Sequence, residues 1–364
     1  MNANQPKFVR FVDRSLLLST APVLESLHFK LDRQCSEVDV VFWVETAVER
    51  GLRELNFDYR YMTDEPMKLP QSLYTCGTLV VLKLKHVSLE DVKFPVCFQL
   101  LKTLHLDYVI FLNDESSQEL LSSCPVLEDL FLTRAEDDNV NTFSVMVPSL
   151  QRFIYDATDS SYTYLLMNTP SLKYLMLDDL SDLCQIEEYM PEIVEAHVDV
   201  TCYNVDDILR YLASVKRLFL CVPTAALFPT GRIFHQLVHL EYCTYETEWD
   251  LLMSMLRHSP KLRSLKLNET KSYGDGPPTC HWDEPISVPE TLMFVLETLE
   301  WRNYRGGKRE LALATFILKH SRRLNIASFF PLAHRSTTLE MKYLMITQLA
   351  RLSRGSAKCE LVFD

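Results

Sequence analysis

The residues that could do chemistry in this 364-residue chain are scattered, and their spacing excludes most catalytic arrangements. His235 and His239 stand at the i, i+4 interval that brings two imidazoles onto one metal ion when the segment is helical. Their segment, F-H-Q-L-V-H-L-E-Y, alternates like a strand, where such positions do not converge, so no metal site is expected. Cys280-His281 lies in a breaker-rich stretch without a recognisable base or orienting group. It reads as a surface or capping cysteine, not a nucleophile. The acidic pairs Asp178-Asp179, Glu187-Glu188 and Asp206-Asp207 read as solvated turns, not as paired catalytic carboxylates. G-x-x-x-x-G-K-[ST], G-x-G-x-x-G, G-x-S-x-G and H-E-x-x-H are all absent. No catalytic residue and no cofactor is assigned, and the chain is not expected to be an enzyme.

The densest basic run is R-N-Y-R-G-G-K-R-E (302–310), which sets Arg302, Arg305, Lys308 and Arg309 around Gly306-Gly307. A glycine turn among cations could meet a phosphate or an acidic peptide, or it could be a charged surface loop. It stands as a secondary binding candidate.

Composition narrows the class. Lys+Arg number 37 and Asp+Glu 49, a net charge of −12, which argues against a nucleic-acid-binding surface over the whole chain. Hydrophobic residues make up 47%, as in a folded domain. No window holds the ~18 uninterrupted apolar residues of a membrane span, so neither nucleic acid nor membrane is expected as a partner. The ten cysteines are spread singly, with no C-x-x-C pair and no secretory signal ahead of them. They read as buried thiols of an intracellular protein, cytoplasmic or nuclear. Two counts are unusual: 8 glycines and 58 leucines. A leucine excess in a long chain calls for a search for repeats.

The repeat is apolar-x-x-apolar-x-apolar. It begins at Leu24, Leu52, Leu79, Leu101, Leu127, Leu150, Leu172, Ile193, Val215, Leu237, Leu262 and Leu296. Seven of the eleven intervals are 21–25 residues, inside the ~20–29 range of a leucine-rich repeat. Each motif is a short strand whose alternate side chains point inward, and parallel stacking lets each repeat cover its neighbours' apolar face. Three intervening stretches, SSQELLSSCP, YTYLLMNTP and DLLMSMLRHSP, read as short helices that end at a proline. The expected fold is α/β: a curved solenoid with parallel strands on its concave face and helices or loops on the convex one.

The repeat also assigns a candidate binding face. At the central outward position the motifs place Phe131, Ile154, Met176, His197 and Phe219 in succession, four of them apolar where solvent is expected. The next outward position places Asp107, Thr133, Asp156, Asp178, Asp199 and Cys221. An apolar stripe formed by Phe131, Ile154, Met176 and Phe219 beside Asp156, Asp178 and Asp199 suits a basic, hydrophobic protein client.

F-V-R-F-V-D-R-S-L-L-L (8–18), V-F-W-V-E-T-A-V-E-R-G-L-R-E-L (41–55), W-D-E-P-I-S-V-P-E-T-L (282–292), L-E-T-L-E-W-R-N-Y-R-G-G-K-R-E (296–310) and A-R-L-S-R-G-S-A-K-C-E-L-V-F (350–363) resemble plant F-box/leucine-rich-repeat proteins that end in an FBD domain. The resemblance covers essentially the whole chain. It implies an N-terminal segment over 1–20, repeats over 21–270, a loop at 271–285, and an FBD-type α+β cap over 286–364 that continues the last repeat. It also implies the substrate-recognition part of a ubiquitin ligase. The family's F-box precedes this region, and only MNANQPK precedes Phe8 here. A Skp-type adaptor is therefore an expected partner only where an upstream F-box exists. The alternatives are a solenoid enclosing a small hormone-like ligand, which would need converging basic residues such as Lys83, Lys85, Lys266 and Arg302, or a stand-alone repeat scaffold.

Overall fold

The computed structural model describes residues 5–19, 21–31, 35–59, 66–93, 96–135, 138–157, 164–180, 184–186, 190–200, 206–222, 233–244, 249–269, 284–332 and 338–363. The chain divides into two compact units, Met1–Glu192 and Ile193–Asp364. Cys280-His281, Glu187-Glu188 and nearly all of the expected 271–285 loop lie outside the described residues.

Unit one opens with helix α1 (Gln5–Leu18), strand β1 (Ser26–Leu31) and helix α2 (Glu37–Glu49). Ser36 starts α2 by accepting the amide of Asp39, and Val40, Trp43, Val44 and Ala47 form its buried stripe at helical spacing. The Trp43 indole N–H donates to Asp13 Oδ1 at 2.7 Å, which ties α1 to α2. The chain continues through β2 (Glu54–Tyr59), β3 (Met67–Lys68), α3 (Gln71–Tyr74), β4 (Val81–Lys85), β5 (Val87–Ser88) and β6 (Thr103–Asp107). It then forms α4 (Asp114–Ser122), β7 (Asp129–Thr133), β8 (Thr142–Met146), β9 (Arg152–Asp156), β10 (Tyr164–Asn168), β11 (Tyr174–Leu180) and β12 (Cys184–Ile186).

Strands β1, β2, β4, β6, β7, β9 and β11 pair in that order, every pair parallel. Register follows the motif: Leu104 faces Leu130, which faces Phe153, and all three are fully buried. The intervals near 22 residues put equivalent leucines opposite each other, so burial along each strand alternates strictly.

One expected helix is a strand. YTYLLMNTP contributes β10, which pairs in parallel with β8 on one side and β12 on the other. Leu165 and Met167 are buried while Tyr164 is exposed, a period of two that the proline ending does not reveal. The layer outside these repeats is thus a second three-stranded sheet. The other two stretches are helical, as α4 and, in unit two, α6 (Asp250–Arg257). A capping box of Asn113 with Ser116 sets the start of α4.

Unit two runs β13 (Glu195–Val200), α5 (Asp206–Tyr211), β14 (Arg217–Val222), β15 (His239–Thr244), α6, β16 (Ser264–Glu269), α7 (Glu290–Phe294) and β17 (Thr298–Tyr304). It ends with α8 (Lys308–His320), β18 (Ile326–Pro331), α9 (Leu339–Ala350) and β19 (Glu360–Phe363). Its seven strands among the described residues also form one parallel ladder in chain order. The segment expected as an α+β cap is therefore three further parallel strands alternating with helices. The fully buried rings of Trp301 and Phe329 lie 6.2 Å apart, and the half-buried ring of Phe363 lies 6.2 Å from Phe329, so these pairs join the last strands.

The cysteine expectation needs a correction in unit two. Cys221 and Cys243 face each other in register, with Cα atoms 4.3 Å apart, and form a disulfide. Cysteines 22 residues apart look isolated in the chain, yet one repeat of parallel register makes them direct neighbours. Cys221, expected at an outward position, is fully buried. Among the described residues no helix is long and apolar enough to cross a membrane.

Candidate functional site

In unit one the expected rows are physical rows. His28, Asn56, Lys83, His105, Phe131, Ile154 and Met176 face one another across successive strands. Asp58, Lys85, Asp107, Thr133, Asp156 and Asp178 form the parallel row one outward position further along. Neighbouring strands lie about 4.8 Å apart, so Phe131, Ile154 and Met176 make a continuous apolar strip beside the carboxylates. All three are half-buried, because side chains in one row shield each other. In unit two the corresponding row is His197, Phe219, Glu241, Lys266, Glu300 and Ser328, with Asp199 beside Cys221 in the next row.

Two histidines belong to these rows that residue type alone did not single out. His105 stacks on Phe131 with ring centroids 3.9 Å apart and planes 12° apart. His197 stacks on Phe219 at 3.7 Å and 11°. Both occupy the motif position just before a phenylalanine in the same row, the signal that would have found them. Burial, assisted by Lys83, pulls the pKa of His105 down to about 4, so at neutral pH it stacks as an uncharged ring. The stacks thus extend each apolar surface by one aromatic plane. Arg152 lies 4.4 Å from the centre of the Tyr174 ring and borders the same strip.

The aspartate row is electrostatically loaded. Asp107 has a pKa above the usual carboxylate value, chiefly through burial and secondarily through Asp58 and Asp156, while Lys85 and the Thr133 hydroxyl oppose the shift. A cation docking along this row would relieve that repulsion.

In the basic loop a carboxylate of the chain itself occupies the glycine turn. The amides of Arg305 and Gly307 donate to the Glu310 carboxylate at 3.1 and 2.7 Å, and Glu310 is buried. The chain's own carboxylate thus takes the position a phosphate would fill, and it caps α8. Arg302 is paired with Glu300 at 2.5 Å and lies over Phe330. Gly306 has φ of +73°, and a Cβ there would meet Met345 Cγ of α9 at 2.8 Å. Gly306→Ala should therefore cost about 1–3 kcal/mol in urea unfolding, through backbone strain and the lost α9 contact. A change below about 0.5 kcal/mol would show that the turn does not need its left-handed residue.

His235 is exposed ahead of β15, while His239 lies within it and shares a hydrogen bond with Ser264 Oγ at 2.9 Å. The two do not meet. Among the described residues no group of three or more His, Cys, Asp or Glu side chains is placed to hold a metal ion.

The comparisons agree with this architecture. A family model described as the leucine-rich repeats of FBD-associated F-box protein At5g56370 matches residues 40–198, and the FBD model matches residues 284–329. The chain is 66% identical over 373 residues to the FBD-associated F-box protein At5g56370 of Arabidopsis thaliana, an alignment covering 100% of this chain and 88% of that protein. It is 44% identical to the F-box/FBD/LRR-repeat protein At5g56420 and 41% identical to the F-box/FBD/LRR-repeat protein At4g26340, both from Arabidopsis thaliana. These alignments cover 99% and 98% of this chain and 86% of each relative.

Proposed function

The chain belongs to the plant family of FBD-associated F-box proteins with leucine-rich repeats, and from that premise we propose that it is a non-catalytic, intracellular recognition protein that selects a client for ubiquitination. The client docks on the outward rows: Phe131, Ile154 and Met176 with Asp156 and Asp178 in unit one, and Phe219 with Asp199 in unit two. One observation carries this reading. Large apolar side chains stand half-exposed in an unbroken row, extended by the stacked, uncharged ring of His105, beside a row of aspartates. A purely structural sheet face has no need of that combination. The apolar anchors supply affinity, and the aspartates set partner choice and association rate. A Skp-type adaptor would enter through an F-box.

The small-ligand alternative has less support. Three of its four cations stand among carboxylates: Lys266 pairs with Glu241 at 2.8 Å and Arg302 with Glu300, while Lys85 stands in register between Asp58 and Asp107.

The test is affinity capture from plant extract with the wild type and a Phe131→Ala/Phe219→Ala variant whose fold is checked by thermal melt. The variant should lose its specific captured proteins, since one buried anchor can carry ~2 kcal/mol or more. With a captured client in hand, Asp178→Lys should slow association, and the slowing should diminish at high salt. An unchanged set of captured proteins would move the site elsewhere, first to the loop around Arg305.

A further inference from the structure

Charge is segregated along unit two. Residues 302–358 contain 12 Lys+Arg and 2 Asp+Glu, whereas residues 193–301 contain 9 and 15. Within the basic segment, the loops that lead into β18 and β19 border a cavity of about 390 Å³. Arg322, Arg323, Asn325, Ser356 and Lys358 line it, with Glu297 on the wall. The side chains are pre-positioned: Arg323 Nη1 donates to the Phe294 carbonyl at 3.5 Å, and the Arg322 guanidinium lies 6.0 Å from the centre of the Phe294 ring. Glu297 faces Arg263 at 3.9 Å, so the one acid on the wall is already offset. Among the described residues no carboxylate is ion-paired with Arg322, Arg323 or Lys358. Three exposed cations against one wall carboxylate, Glu297, leave the described lining net positive, and a bound anion would balance it.

We propose that this cavity binds an acidic peptide segment of a partner, its carboxylates held by Arg322, Arg323 and Lys358. Guanidinium forks match planar carboxylates in bidentate geometry, and the volume suits one or two side chains. A long polyanion or an anionic membrane would have to extend beyond the cavity along a unit whose preceding 109 residues are net acidic, which favours a short anionic segment. The site is separate from the outward rows and does not depend on the client docking there.

The test is fluorescence anisotropy of a labelled hexaglutamate peptide titrated with the full chain, with hexaglutamine as the uncharged control. Saturable binding is expected for hexaglutamate alone, weakening with salt. Arg322→Ala/Arg323→Ala/Lys358→Ala should weaken it by about tenfold or more, as lost charge-assisted hydrogen bonds would. Lys7→Ala/Arg10→Ala/Arg14→Ala removes equal charge from the exposed face of α1 and should change it by about twofold or less. Equal losses in the two triple variants would reduce the effect to general electrostatics and overturn the site. So would an absence of saturable binding, or tighter binding of duplex DNA or phosphatidylserine vesicles than of the peptide.

Discussion

Arg134→Met should destabilise unit one by about 3–5 kcal/mol, the cost of stripping one member from a buried ion pair. The Arg134 and Asp138 side chains are 2% and 1% exposed, with Nη2 and Oδ2 3.0 Å apart. Arg134 also donates to the Val140 carbonyl at 2.8 Å and lies over the Phe143 ring, while Asp138 Oδ1 accepts the Phe111 amide at 3.0 Å. The pair therefore ties the segment after β7 to the preceding repeat. Removing the cation leaves a carboxylate in an apolar setting. Burial already holds the Asp138 pKa above its ordinary value despite the opposing pull of Arg134. A carboxyl whose folded pKa is raised favours the fold only where it is protonated, and that contribution is lost as pH rises through the folded value. The deficit of Arg134→Met should accordingly shrink as pH falls toward about 4, where the stranded carboxylate takes up a proton. Urea midpoints of wild type and variant at pH 7 and pH 4.5 check both statements. A loss under about 1 kcal/mol at pH 7, or a deficit that widens in acid, would mean the pair does not hold this segment.

Leu130→Ala should cost about 2–5 kcal/mol, because the cavity opens between Leu104 and Phe153 in adjacent strands, where the parallel ladder limits collapse. Leu130 is fully buried, and its neighbour Phe131 projects to the other side of the sheet, half-buried. Phe131→Ala should therefore unfold at a urea concentration much closer to wild type, although it removes more atoms. The order of the two midpoints reads the register directly. If Leu130→Ala were the milder substitution, every outward residue assigned by the repeat would change faces.

The inward leucines, the strands they define and the membership of both outward rows were legible in the chain. All three follow from a local period of two combined with an interval near 22 residues, which needs no knowledge of the fold. The caps at Ser36 and Asn113 are similarly local. What remained illegible depends on which repeat lies alongside. YTYLLMNTP is a strand because β8 and β12 supply its hydrogen-bond partners, and an apolar run of that length suits either a helix or a strand. Cys221 finds Cys243, and His105 finds Phe131, only through parallel register. Glu310 fills the glycine loop because the turn at Gly306 brings its carboxylate back to the amides of Arg305 and Gly307. Arg322, Arg323 and Lys358 share a cavity because two loops separated in sequence by α9 lead into adjacent strands. Sequence period decides which way a side chain points; only the stacked repeats decide what it meets there.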